Sequence, residues 1–377
     1  MKINDLHAFT KPNVSFLKLK NRAADAQPNP QKTMVNVTKY GVLLLKTELG
    51  FENAGVLNPA VIQDNDGRIH LFYRAVRTHN YSTIGYCRLD SPLNVVERFD
   101  VPILFPQAEY ESHGIEDPRI VKIEELFYLT YTVYDGINAL AAYATTATLP
   151  YFEKQGIMTP QITYEDFRHL AESKTPLNEK YARFNGHPVS YVSTEKKPLL
   201  WDKNVVFFPR RIDGKLFFLH RIKPDIQLVC VQEMDELTPA FWENYFMHLS
   251  ANIVLEPKHR HEISYIGAGC PPIETKFGWL LIYHGVHDTV TGYKYTVCAA
   301  LLSLDNPTQE LARLPYPLFS PEFGYETKGE VNNVCFPTGA IVQNDILYIY
   351  YGAADEKIAC ASVNLNALLD DLKNYAQ

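Results

Sequence analysis

Residues 114–136 read GIEDPRIVKIEELFYLTYTVYDG. The stretch sets Glu116, Asp117 and Arg119 around a proline, then runs into an alternating, aromatic-rich strand pattern closed by a tight turn. Carboxylates at the mouth of a strand are suited to acid–base work on a polar substrate. Taken alone, an ordinary loop accounts for it equally well, with Asp117 bonded to nearby backbone N–H groups and Arg119 in a surface ion pair. Recurrence decides between the two.

The same pattern appears as NPAVIQDNDGRIHLFYRAV from Asn58, KNVVFFPRRIDGKLFFLHRI from Lys203, GAGCPPIETKFGWLLIYHGV from Gly267 and VCFPTGAIVQNDILYIYYGAAD from Val334. Each copy opens on a proline-marked segment, forms a short apolar strand, turns through polar residues and returns as a second strand ending in aromatic and charged residues. Copies of one hairpin at spacings of roughly 60 to 90 residues imply an all-β modular fold, a five-bladed β-propeller whose blades bury their faces against their neighbours. The opening ends of the inner strands then face a central pocket, where Asn58, Asp117 and Asn204 converge from distant parts of the sequence. Ser82–Leu89, Ala139–Thr145 and Tyr293–Leu302 are the expected outer strands.

Around this repeat lie framing segments. Residues 1–50 hold two strand candidates, Val14–Leu19 and Tyr40–Lys46, separated by a polar linker near Gln27–Lys32. Residues 151–201 are too long and polar for an outer hairpin and are expected to be an insertion or cover loop. Thr238–Leu249 carries an N-cap followed by proline, the signature of a short helix. Residues 364–377 end in an amphipathic C-terminal helix that docks through its leucines. The whole of 1–377 is expected to form a single catalytic domain.

A net charge of -7 with scattered Lys and Arg excludes a basic nucleic-acid-binding face. No apolar run reaches the length of a membrane span, and MKINDLHAFT lacks the apolar core of a signal peptide, so the expected location is cytoplasmic. The six cysteines contain no C-x-x-C pair and sit in apolar, strand-like surroundings, which argues against disulfides and a cysteine zinc site. His259, His261 and Glu262 (HRHE) fit no helical zinc spacing and read as a solvated loop, so no metal is expected. With no phosphate loop, nucleophile elbow or nucleotide fingerprint, and with 24 Tyr and 20 Phe to serve as strand residues and sugar platforms, carbohydrate chemistry is favoured.

The runs EDPR at Glu116, FPR-x-IDGK at Phe208, IGAGCPPIET-x-x-GWLLIYHGV at Ile266 and NVCFPTGA…YYGAAD at Asn333 together resemble glycoside hydrolase family 130. The resemblance runs from about Asn58 to Asp355. It implies a five-bladed propeller acting on β-mannosides, most members being inverting phosphorylases that release α-mannose 1-phosphate. It places Asp117 as the general acid. It puts Asn58, Arg74, Arg119, Glu330 and Asp355 around the mannose, and Lys203, Asn204, Arg221 and His284 where phosphorylases hold phosphate. No cofactor is implied beyond phosphate as co-substrate, and the partner is a β-mannoside oligosaccharide.

Two positions depart from the phosphorylase pattern. Lys203 replaces an arginine, which keeps the charge but loses bidentate geometry. Tyr265, at the substrate site, replaces a lysine with a phenol that is neutral at pH 7. Because the family also contains β-1,2-mannosidases, the lost charge tips the expectation toward hydrolysis, with Glu262 as the base across from Asp117. An inverting hydrolase needs these carboxyls about 6.5 to 9.5 Å apart. Phosphorolysis is the alternative, and a non-catalytic sugar-binding propeller the second.

Overall fold

Period-two alternation broken by turn residues makes each quoted segment a hairpin, and most of the chain is built from such hairpins. The structure, a computed structural model, describes residues 34–186 and 197–376, which lie in the compact unit Val35–Gln377. With 48% strand against 15% helix, the molecule is mostly β. The strand candidate Val14–Leu19 and the linker Gln27–Lys32 lie outside the described residues.

After β1 (Val37–Leu44), the strands β2 (Gly55–Gln63), β3 (Ile69–Arg77), β4 (Tyr81–Ser91) and β5 (Asn94–Arg98) form a first antiparallel meander. A second comprises β6 (Gly114–Ile123), β7 (Leu126–Tyr134), β8 (Ala139–Thr146) and β9 (Glu153–Ile157). One parallel pair, Ser82 with Gly114, joins the two into a single sheet. The third holds β10 (Lys203–Phe207), β11 (Leu216–Arg221), β12 (Ile226–Val231) and β13 (Ile253–Leu255). In the fourth the opening strand is interrupted, so β14 (Tyr265–Ala268) and β15 (Ile273–Thr275) both pair with β16 (Gly278–Thr289), followed by β17 (Gly292–Leu302) and β18 (Glu310–Arg313). The last consists of β19 (Cys335–Gln343), β20 (Ile346–Ala353) and β21 (Lys357–Asn364), with β1 as its outermost strand through pairs such as Val37 with Val363.

Apolar clusters lie between successive meanders. Phe72 and Ile84 of the first meet Ile115 and Leu129 of the second; Val121 meets Phe207 and Phe218; Val206 and Leu219 meet Trp279 and Leu281; Leu280 and Val297 meet Ile349 and Tyr351; and Tyr350 and Ile358 of the last meet Leu71 and Tyr73 of the first. Each meander thus buries both faces against neighbours, which makes the near-continuous apolar strands such as Ile69–Arg77 intelligible.

The segment 151–201 is only partly an insertion, because it begins with β9, the outer strand of the second meander. The remainder contributes α1 (Tyr164–Ala171) and α2 (Glu179–Asn185), whose Phe167 and Tyr181 are buried. Thr238 caps α3 (Pro239–Met247), and a one-turn α4 (Gly324–Thr327) follows. Asn364 caps α5 (Leu365–Lys373), which docks through Leu368, Leu369 and Leu372. Among the described residues no helix is long and apolar enough to cross a membrane, and all six cysteines are free thiols.

A buried glutamate recurs with the sheets. Glu52 accepts from the Tyr73 hydroxyl at 2.7 Å and pairs with Arg98 at 2.9 Å. Glu111 accepts from the backbone N–H groups of Gln107 and Ala108 and from Lys154 at 2.6 Å. Glu326 accepts from two backbone N–H groups, from Tyr351 at 2.7 Å and from Lys39 at 2.8 Å. Glu262 belongs to the same series. It takes the N–H groups of Lys258 and His259 at 3.0 Å each, the Tyr283 hydroxyl at 2.7 Å and Arg313 at 3.0 Å. The cations stand on outermost strands and the tyrosines on second strands, so each acid ties a connecting turn across its sheet. The third meander substitutes Asp202, His220 and Tyr245. Fully satisfied, such a group specifies geometry; losing one partner leaves a buried uncompensated charge.

Candidate active site

The opening strands of the first three meanders each carry a bulge, seen as register breaks between Leu57 and Ala60, Glu116 and Arg119, and Lys203 and Val206. The residues inside are Asn58, Asp117 and Asn204, with φ of 51°, 52° and 57°. Asn and Asp tolerate this left-handed backbone better than other side-chain-bearing residues, and a bulge re-aims its side chain out of the sheet. Two glycines make room. A Cβ at Gly352 would meet the Asn58 amide, and one at Gly267 would meet both the Asn204 amide and the His284 ring. Asn58, Asp117 and Asn204 line one pocket of about 220 Å³.

One wall of this pocket is acidic and comes from the first, second and last meanders. Asn58 Nδ2 donates to Asp117 Oδ1 at 2.6 Å, and Arg74 Nη1 lies 3.6 Å from the same oxygen. Glu116 bridges two cations, accepting from Arg74 Nη2 at 2.9 Å and from Lys203 Nζ at 3.1 Å. Burial pushes the Asp117 carboxyl up, but Arg74, Lys203, Arg119 and the Asn58 hydrogen bond outweigh it and hold the group below the usual carboxylate range. Asp355 on the same wall goes the other way: burial, reinforced by Asp117 and Glu116, pushes it up to about 6 against the pull of Arg74. Opposed environments for neighbouring carboxyls are the condition for a proton to be held by one and used by the other.

The other wall is cationic and comes from the third and fourth meanders: Asn204, Arg221, Lys223, Tyr265 and Tyr295. Behind it His284 is fully buried, accepting from Arg221 Nη1 on Nε2 at 3.3 Å and packed on Phe336 with ring centroids 4.5 Å apart. With Nε2 accepting, Nδ1 carries the hydrogen. Burial, with Arg221, Arg119 and Lys223 nearby, holds this imidazole neutral. Among the described residues, Asn204 Nδ2, Arg221 Nε and His284 Nδ1 are buried donors without an acceptor. These three atoms lie behind the pocket surface, and what the wall presents to an electron-rich group is the charge of Lys203, Arg221 and Lys223.

The sequence-derived residues therefore separate. Asn58, Arg74, Asp117, Lys203, Asn204, Arg221, Tyr265 and Asp355 line the pocket. Arg119 does not line it; its guanidinium donates to the carbonyls of Gly269 and Asp117 at 2.7 Å each, fixing the bulge from below. His284 stands behind Arg221. Glu330 is exposed and lines an adjoining cavity of about 350 Å³ that shares Arg74 and Asp355 with the pocket. Glu262 is not in the pocket. It is fully buried in the clamp of the fourth meander, which corrects both its assignment as a base and the solvated-loop expectation for HRHE. Its carboxylate lies near His261 and Cys298, but Arg313 already neutralises it, so the group is a poor metal ligand. Sequence reasoning missed Lys223, Trp201 and Tyr295, which with Val331, Val334 and Phe336 complete the lining. Lys223 left no periodic signal, because it stands in the turn after β11 rather than on the strand.

Comparison with known proteins accords with this geometry. Residues 45–374 match glycoside hydrolase family 130, described as β-1,4-mannooligosaccharide phosphorylase, and the chain belongs to that family. It is 32% identical over 336 residues to 1,2-β-oligomannan phosphorylase of Thermoanaerobacter sp. (strain X514), covering 86% of this chain and 95% of that one. It is 33% identical over 327 residues to the β-1,2-mannobiose phosphorylase of the same organism, covering 83% and 91%. Among solved structures, β-1,2-mannobiose phosphorylase from Listeria innocua in complex with β-1,2-mannobiose superposes with a TM-score of 0.66 at 22% identity, covering 90% of this chain and 99% of that one, a likeness of fold.

Proposed function

We propose that this protein is a phosphorylase that cleaves β-1,2-linked mannosides with inversion, on a single five-bladed propeller domain formed by the five meanders. The observation that carries the reading is the division of one pocket into an acidic wall holding Asp117 and a cationic wall carrying Lys203, Arg221 and Lys223. The names of the two Thermoanaerobacter relatives support both the phosphorolysis and the linkage. The lean toward hydrolysis loses its base with Glu262, and the charge missing at Tyr265 is offset by Lys223 beside it.

In this reading Asn58, Arg74 and Asp355 hold the terminal mannose. Phosphate sits against Arg221, Asn204 and Lys203. Its oxygen attacks the anomeric carbon from the face opposite the departing oxygen. As the C1–O bond to the aglycone breaks, that oxygen takes the proton delivered by Asp117, and the proton of the attacking hydrogen phosphate restores the acid. Inversion of a β-mannoside gives α-mannose 1-phosphate. The cations hold and orient the incoming anion for attack.

A linkage panel tests this. With phosphate present, β-1,2-mannobiose is expected to give equimolar α-mannose 1-phosphate and mannose, and β-1,4-mannobiose far less. Cleavage of only the β-1,4 compound would overturn the linkage.

A further inference from the structure

We infer that Lys223 is a phosphate-binding residue, standing in from the third meander for the cation absent at Tyr265. The inference rests on the phosphorolysis reading and names a residue that reading does not require. Lys223 lines the pocket beside Arg221, just beyond the end of β11. Its Nζ is 4.1 Å from the centroid of the Tyr265 ring, and the Arg221 guanidinium is 5.7 Å from the same ring. The phenol therefore lies against two cations, and a ring face attracts a cation, whereas an ammonium in its place would repel both. Replacement of lysine by tyrosine on one strand and the presence of lysine on its neighbour are thus parts of one arrangement.

Among the described residues the ammonium has no counter-ion: no carboxylate pairs with Lys223, while Arg221 and Lys203 stand nearby as like charges. Burial first, then those two cations, lowers its pKa to about 7. A partly buried lysine flanked by cations and by donors without acceptors is stabilised only when an anion arrives. The backbone keeps it in place, because Asn185 of α2 donates to the Lys223 carbonyl at 2.7 Å. The same helix sets Phe184 edge-on to Tyr265 at 5.3 Å between centroids, so the segment after β9 buttresses both partners.

The test is titration of inorganic phosphate into the sugar-free protein by calorimetry, with steady-state KM values for phosphate and mannoside measured in parallel. Lys223→Met is expected to weaken phosphate about 10- to 150-fold, the range of a charge-assisted contact, and to leave the mannoside KM within about twofold. Tyr265→Lys in the Lys223→Met background is expected to regain most of that loss, which a packing defect would not. Phosphate binding by Lys223→Met within twofold of the unaltered protein overturns the inference and leaves phosphorolysis standing. A loss that the double variant does not recover overturns it as well. An unaltered protein that neither binds phosphate nor forms mannose 1-phosphate overturns both.

Discussion

Arg74, Lys203 and Asn58 hold Asp117 below the usual carboxylate range while its neighbour Asp355 is pushed up to about 6, so on the proposed reading Asp117 draws the proton it delivers from Asp355. Two expectations follow at this scale. Asp117→Asn should keep the fold and bind mannoside, yet lose about 100-fold or more in kcat, the range of general acid catalysis; turnover within tenfold of normal sinks the assignment. The sign of the pH effect is also fixed. Asp355 carries a proton below about pH 6 and loses it above, so kcat/KM should fall as pH rises through that region, and Asp355→Asn should move or remove this limb. A limb unchanged in that variant would show that another group titrates. Much of this cluster was legible in the sequence, through the proline-marked entry that recurs at the mouth of the repeats and through the family resemblance, but the left-handed bulge that aims Asn58, Asp117 and Asn204 was not. Glu262 misled because nearness in sequence to Tyr265 was taken for nearness in space. Only the fold reveals that it lies 21 residues before Tyr283, as Glu52 lies before Tyr73.

Among the elements, the clamp around Glu262 makes a contrasting claim. Glu262→Gln removes one of the two carboxylates that Arg313 pairs with, Glu310 remaining, and should cost about 1.5 to 3 kcal/mol of stability, seen as a lower melting temperature. The protein that remains folded should turn over at close to the normal rate. Abolished turnover without loss of stability would return Glu262 to the chemistry. Hairpins, the capped helix α3 and the docking of α5 were readable from alternation, turn residues and caps, all of which act over a few residues. The pairing of β1 with β21 was not, since a strand's partner across hundreds of residues leaves no local mark, and β9 was hidden at the start of a segment read as an insertion.

Across the whole molecule, the net charge of -7 conceals a cationic wall gathered from the third and fourth meanders. Lys203, Arg221 and Lys223 lie on one hairpin of the third meander, where Lys203 pairs with Arg221, and the fourth meander closes on them with Tyr265 and Tyr295. Phosphorolysis and hydrolysis are distinguished by what that wall holds at the moment of attack. The decisive measurement is the initial rate of β-1,2-mannobiose cleavage as a function of phosphate concentration, with the sugar product identified by phosphorus NMR. The rate should be negligible without phosphate and rise to saturation with it, with α-mannose 1-phosphate as the product. Free mannose formed from both halves of the disaccharide, at a rate indifferent to phosphate, would contradict the account.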